Sequence, residues 1–202
     1  MEGQYKAIST FLPAKPKPQT IVEVVAIDDP ETIKCQNHYG FTVPELLDPE
    51  RHGHINTNEP GMQRYIDKWD HQEYQHGLPR WLLTKGSEYE KGEYNDHSMS
   101  WTLNNCSSKG WDTVTIAIYA SDNDAAAETL TGNGARHVGD IRVELKGVNW
   151  GEIPRKYASD NRSIFYRFDA VVRMGFADES GRLTVKLVHS GRELGTAKFT
   201  VQ

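Results

Sequence analysis

The strongest constraint on this chain is an alternation of apolar and polar residues that recurs over runs of strand length from Met99 onward. In residues 111–119, Val114, Ile116 and Ile118 fall on one face of an extended chain. A period of two is typical of a β-strand with one face in a core and the other in solvent. Residues 163–173 repeat the pattern, and their predicted inward residues are Ile164, Tyr166, Phe168 and Ala170.

Further runs of the same kind follow one another with turn signals between them. They are residues 99–103, 138–145, 182–189 and 193–201. The last two runs are joined by Ser190, Gly191 and Arg192, a glycine-containing connection that predicts a β-hairpin. Many short strands separated by turns are typical of an antiparallel β-sandwich. The sequence therefore predicts a mainly β fold of this type.

Residues 45–79 interrupt the alternation and are predicted to form a long, partly helical insertion. Their composition shifts to charged, histidine and turn residues over a length too great for an ordinary loop. Within them, the spacing i, i+3, i+4 and i+7 of four apolar residues is typical of one face of a helix. These residues are Met62, Tyr65, Ile66 and Trp69. We therefore expect a short amphipathic helix over residues 61–69 that covers one side of the sandwich.

Charge and cysteine content limit the partners and the compartment. The formal net charge is -5, which gives no electrostatic reason to expect nucleic acid or an anionic membrane as a partner. No apolar run approaches the roughly 20 residues of a transmembrane helix. Two cysteines, Cys35 and Cys106, are too few for a disulfide framework. The sequence favours a cytoplasmic protein.

The histidine-rich part of the insertion holds the candidates for acid–base chemistry, which are His71, Glu73 and His76. Imidazole and carboxyl groups are common proton donors and acceptors in enzymes. The spacing of His71 and His76 is i, i+5, which differs from the i, i+4 pair of zinc-binding histidines on a helix. We therefore predict no metal site and no cofactor.

Residues 38–43 and 81–86 are two further β-prone runs, of which the first holds a Tyr-Gly pair and the second ends in a basic turn. With these runs included, the order of the predicted strands resembles the substrate-binding β-sandwich of the seventy-kilodalton heat-shock chaperones. A first strand with a Tyr-Gly pair precedes a strand with a basic turn, two strands around a polar turn, and four further strands. The matching segments are residues 38–43, 81–86, 98–119, 139–145, 164–172 and 182–201. The long insertion and residues 119–122 look closer to divergent fungal and animal members. The resemblance extends from near Pro30 to the end of the chain.

The resemblance implies a two-part organisation. Residues 1–29, where prolines and lysines are interleaved, are expected to be a leader and a possible remnant of an ATPase-domain exit. Residues 30–202 are expected to form the sandwich, with the insertion at residues 45–79. The sequence departs from the family in offering no phosphate-binding glycine loop and no helical lid. An ATP-independent activity is therefore expected.

Aromatic residues cluster where the resemblance places the substrate loops. The candidates for ligand contact are Trp69, Tyr74, Trp81, Tyr89, Tyr94 and Trp101. Polar sequence neighbours favour a ligand-facing role for Tyr74, Tyr89 and Tyr94. Core packing is the other interpretation of Trp81 and Trp101.

Three functional hypotheses follow. The first is a binding module that holds an extended apolar peptide or partner segment across the sandwich. The second is an enzyme, in which a repurposed sandwich binds a small apolar molecule and catalyses an isomerisation or cyclisation with histidine and acidic groups. The third is a fragment that acts only as a subunit of a larger assembly. A fold alone does not decide among them, and the oligomeric state stays open.

Overall fold

A computed structural model of the protein describes residues 31–53, 62–105, 113–130, 134–158, 163–176 and 181–200. The described chain is mainly β, and its one helix is a four-residue turn, α1 (Pro49–His52). The strands are β1 (Thr32–Lys34), β2 (His38–Leu46), β3 (Gln63–Ile66), β4 (Glu73–Leu83), β5 (Glu88–Glu90), β6 (Tyr94–Asn105), β7 (Thr113–Ser121), β8 (Ala135–Glu144), β9 (Arg155–Tyr157), β10 (Ile164–Phe176), β11 (Leu183–His189) and β12 (Arg192–Phe199).

Two sheets face each other as a sandwich. The first sheet has the order β3-β4-β2-β7-β8, and the second has the order β12-β11-β10-β6, with β9 beside β10. β1 and β5 form a separate two-stranded sheet. The strands in the described residues pair antiparallel. The predicted antiparallel β-sandwich is confirmed.

The core lies between the inward faces that the alternation predicts. Val114, Ile116 and Ile118 on β7 are all buried. On β10, Phe168 and Ala170 are buried in the same cluster. Burial of apolar surface is the main driving force for folding, so the alternation fixes which face of each strand points inward. The predicted hairpin also forms, between β11 and β12.

The two long sides of the sandwich differ. On one side, β8 and β12 approach closely: the position of a Cβ on Gly139 lies 2.5 Å from the Phe199 ring, and that on Gly195 lies 2.8 Å from the Val143 side chain. On the other side, β6 is the edge strand of the second sheet. β6 pairs with β10 along twelve residue positions, from Tyr94 to Asn105. The β6 side of the sandwich is therefore where an opening can form.

The predicted helix over residues 61–69 is wrong. In its place β3 pairs with β4, and Gln63 lies opposite His76. Met62 is buried whereas Ile66 is 66% exposed, so the residues of the predicted stripe do not share a face. An isolated helix of this length is marginal in water, and pairing with the long strand β4 supplies the backbone hydrogen bonds instead. Within the expected insertion, residues 63–79 thus form a β-hairpin joined to the first sheet.

Some sequence-based expectations lie outside the described residues, namely the leader at residues 1–29 and positions 30, 61, 111 and 201. In the part of the chain that the structure describes, no helix has the length and apolar character needed to cross a membrane.

Candidate functional site: a cleft between strand edges

Two neighbouring strands of the first sheet, β2 and β7, pair along only part of their length. β2 pairs with β7 only from His38 to Phe41, opposite Ser121 to Ile118. Beyond Phe41, β2 stays with β4, and its register shifts around Pro44, which lacks an amide hydrogen. Residues 113–117 of β7 stay with β8. We call the gap between residues 42–46 of β2 and residues 113–117 of β7 the wedge.

A cleft with two lobes extends from the wedge to the edge of β6. The polar lobe has a volume of about 190 Å³, and the second lobe, the Trp101 lobe, has a volume of about 210 Å³. Both lobes are lined by Pro44, Tyr65, Asp67, Met99 and Ser100. The polar lobe adds Val43, Tyr74, His97, Ser98 and Arg167. The Trp101 lobe adds Thr42, His76, Trp101, Thr102, Thr115, Ile116 and Ala117.

The cleft is walled by the edges of strands. Residues 97–102 of β6 line it consecutively, as do residues 115–117 of β7. Successive side chains of a strand point to opposite faces, so consecutive lining residues mean that the strand meets the cleft edge-on. A strand edge exposes backbone N–H and C=O groups. The cleft therefore combines side chains with backbone hydrogen-bonding groups.

The β3–β4 turn, residues 67–72, closes one end of the cleft by folding over the outer face of the second sheet. The buried Asp67 carboxylate accepts hydrogen bonds from the Trp69 amide at 2.7 Å and from the Thr102 hydroxyl at 3.1 Å. Lys156 donates to the Trp69 carbonyl at 2.7 Å, and its ammonium lies 4.7 Å from the centre of the Trp69 ring. These contacts fix the turn against β6, β9 and β10.

Two tyrosines on the hairpin form an aromatic wall of the polar lobe. The rings of Tyr65 and Tyr74 stack with centroids 5.9 Å apart. Burial, with the nearby Asp67 carboxylate, raises the pKa of Tyr65 to about 12. Burial and a 2.8 Å hydrogen bond to Asp70 raise the pKa of Tyr74. Both phenols are therefore protonated at neutral pH and can donate hydrogen bonds.

A charged group borders the polar lobe at Arg167. Its guanidinium lies 4.0 Å from Asp70 and 3.7 Å from Asp169, so neither ion pair is tight. Burial acts to raise the pKa of Asp70, but hydrogen bonds from the Gln72 amide and the Tyr74 hydroxyl, together with Arg167, lower it overall. Ser100 donates a hydrogen bond to Asp169. The rim of this lobe thus carries fixed charges of both signs.

His97 is the histidine of the polar lobe. Burial, followed by the positive charge of Arg80, lowers its pKa. Its ring lies 5.7 Å from the ring of the buried Phe41. His97 is therefore neutral at pH 7, with an imidazole that can donate and accept hydrogen bonds.

The cleft brings together three residues predicted from the sequence: Tyr74 in the polar lobe, and His76 and Trp101 in the Trp101 lobe. Trp101 also packs on Phe168 at 5.8 Å, so its ring belongs partly to the core. Two other candidates, His71 and Glu73, are exposed and do not line either lobe. His71 occupies the β3–β4 turn with φ of 61°.

The remaining aromatic candidates have structural contacts away from the two lobes. Trp69 lies under Lys156 in the β3–β4 turn. Trp81 donates its indole N–H to the Ala127 carbonyl at 2.8 Å, and the Tyr89 hydroxyl accepts from the Thr84 amide at 2.7 Å. Tyr94 lies beneath the Lys186 ammonium. Each of these side chains holds a turn or a strand end in place.

Sequence reasoning missed Asp67, His97, Ser100 and Arg167 as cleft residues. Their positions depend on the split of the first sheet and on the hairpin crossing β6, which are long-range pairings. The available signal was Pro44, because a proline within a β-prone run predicts a break in strand pairing. Within the described residues, no group of three or more His, Cys, Asp or Glu side chains is placed to hold a metal ion.

Comparison of the chain with protein-family models, with curated proteins and with solved structures gives no match.

Proposed function

We propose that the protein is an ATP-independent binding module that holds an extended segment of a peptide or partner protein in the two-lobed cleft. The observation that carries this proposal is the edge-on lining of the cleft by β6 and β7. Peptide-binding sites of this type use backbone hydrogen bonds for affinity and side-chain pockets for selectivity. An extended chain is the ligand that matches both features.

The division of the cleft into two small lobes favours a peptide over one compact small molecule. Each lobe is about 200 Å³, whereas sites for drug-sized ligands are typically about 300–1,000 Å³. A lobe of this size accommodates one or two side chains. Two lobes that share a wall of Tyr65 and Met99 suit neighbouring side chains of one segment.

The resemblance to the chaperone substrate-binding sandwich favours the same function. Its expected strands correspond to β2, β4, β6, β7, β8, β10, β11 and β12. Two cleft residues, Tyr74 and Trp101, belong to the aromatic cluster of the stretch where that resemblance places substrate loops. The expected apolar ligand needs a refinement, because polar as well as apolar groups line both lobes, including the lobe with Trp101 and Ile116.

The enzyme hypothesis, a cofactor-free isomerase or cyclase, has weaker support. His71 and Glu73 do not line the cleft, and the two lining histidines, His76 and His97, occupy different lobes. A general acid and base need to reach the same reacting group. This hypothesis and that of a subunit in a larger assembly stay predictions.

The test is a fluorescence-anisotropy titration with a labelled, lysine-flanked heptapeptide of leucine and valine, beside a serine–asparagine heptapeptide of equal length. The Ser98→Trp variant fills the polar lobe from an exposed position, and Ser87→Trp on a distant turn is its matched control. We expect the apolar peptide to bind wild type and Ser87→Trp equally, and Ser98→Trp at least tenfold more weakly. Equal binding by all three proteins contradicts the proposal, as does a micromolar or tighter affinity for Mg-ATP in calorimetry.

A further inference from the structure

We infer that the bound segment adds to the open edge of β7 as a β-strand, filling the wedge and extending the paired part of the first sheet. This inference rests on the proposed function and specifies how the cleft recognises its partner. The recognised chemistry is an extended backbone with apolar side chains at alternate positions.

The edge of β7 is suited to this pairing because the other half of the same edge already pairs with a strand. From Ile118 to Ser121, β7 pairs on this side with β2. From Thr113 to Ala117, the partner of β7 among the described residues is β8, on the opposite side. The hydrogen-bond ladder between β2 and β7 ends at Phe41. A strand added to the edge of β7 that faces the wedge would therefore continue this ladder.

The pleat of β7 determines the side-chain pattern of the partner. Val114 and Ile116 point into the core and are 6% and 4% exposed, whereas Thr115 is exposed. Side chains directly opposite each other on paired strands point to the same face. A strand beside residues 113–117 thus places every second side chain inward, where the apolar side chains of Met99 and Trp101 line the Trp101 lobe. The intervening side chains face solvent beside Thr115.

The ligand backbone offers a direct test that leaves the protein unchanged. The probe is a fluorescein-labelled heptapeptide of alternating valine and threonine, compared with seven versions that each carry one backbone N-methyl group. A strand directs alternate N–H groups to opposite sides. We expect the versions methylated at alternate positions, those whose N–H faces β7, each to bind roughly tenfold more weakly. In each of them the N-methyl group removes a hydrogen bond and places a methyl group in the ladder. Methylation at the intervening positions should change affinity less than twofold.

A protein variant tests the location of the edge. Lysine on an edge strand discourages pairing with another strand. Thr115→Lys should therefore weaken probe binding at least fivefold. Its melting temperature should fall only slightly, because Thr115 is exposed although Arg142 lies opposite it on β8. Thr32→Lys on the exposed strand β1 is the matched control and should bind normally.

The outcomes separate this inference from the proposed function. Peptide binding with a uniform response to N-methylation, or with a normal Thr115→Lys affinity, overturns strand addition but leaves the binding module intact. Strong hydrogen-exchange protection across all amides of residues 113–117 without a peptide also overturns it, because the edge would then already be paired. Failure of every peptide to bind overturns both.

Discussion

Replacement of Phe168 by alanine should remove a large part of the stability of the sandwich. Phe168 is fully buried on β10, and its ring lies 5.8 Å from the Trp101 ring, 6.4 Å from that of Trp150 and 4.9 Å from that of His189. Truncation of a buried phenylalanine to alanine costs about 3–5 kcal/mol through lost burial and the residual cavity. Domains are typically stable by about 5–15 kcal/mol, so the variant should be folded only marginally.

Urea denaturation followed by circular dichroism measures this change. With an m-value of about 2 kcal/mol/M, the loss lowers the urea midpoint by about 1.5–2.5 M while the slope stays constant. Tyr157→Ala is the matched control, because this tyrosine is 61% exposed and its truncation should change stability by less than about 0.5 kcal/mol. A Phe168→Ala loss below about 1 kcal/mol would refute the assignment of this residue to the centre of the core.

Three further predictions concern the core and the cleft. Ile116→Asp should unfold the protein, since residue 116 is 4% exposed and an unpaired buried carboxylate costs several kcal/mol; a native circular-dichroism spectrum would contradict this. The lowered pKa of His97 means that the unfolded chain binds the proton more readily, so the free energy of unfolding should fall as pH drops through about 6.5. The fall should be smaller in His97→Gln than in wild type, and identical pH profiles of the free energy of unfolding for the two proteins would refute the effect. Burial raises the pKa of Cys35 to about 11, so iodoacetamide at pH 8 should leave it unmodified in the native protein and alkylate it in urea, as read by peptide mapping; native alkylation would contradict its burial.

Local periodicity predicts the sandwich because one face of each strand must enter the core. The inward positions of Val114, Ile118 and Phe168 follow from a period of two alone. The same reasoning failed at residues 61–69, where a helical spacing of apolar residues competed with strand pairing. Tyr65 stacks on Tyr74, nine positions along the chain, across the hairpin, and this contact has no signature in the local pattern.

The cleft was less predictable than the fold because it arises where long-range pairing stops. The aromatic cluster, together with the family resemblance, predicts Tyr74 and Trp101 as ligand contacts, yet the cleft that joins them depends on the separation of β2 from β7 after Phe41. Asp67 and Thr102 meet only because the hairpin crosses the edge of β6. Such relations depend on the order of strands in the sheets, which periodicity does not encode.

Hydrogen exchange of the full chain, followed by mass spectrometry with and without the lysine-flanked leucine–valine heptapeptide, tests the central claim most directly. The account predicts that the peptide slows exchange in residues 97–102 of β6 and 113–117 of β7, whose edges line the cleft. Exchange in β12, on the opposite side of the sandwich, should stay unchanged. Peptide-dependent protection confined to β12 or its neighbours, or no protection at a saturating peptide concentration, would contradict the account.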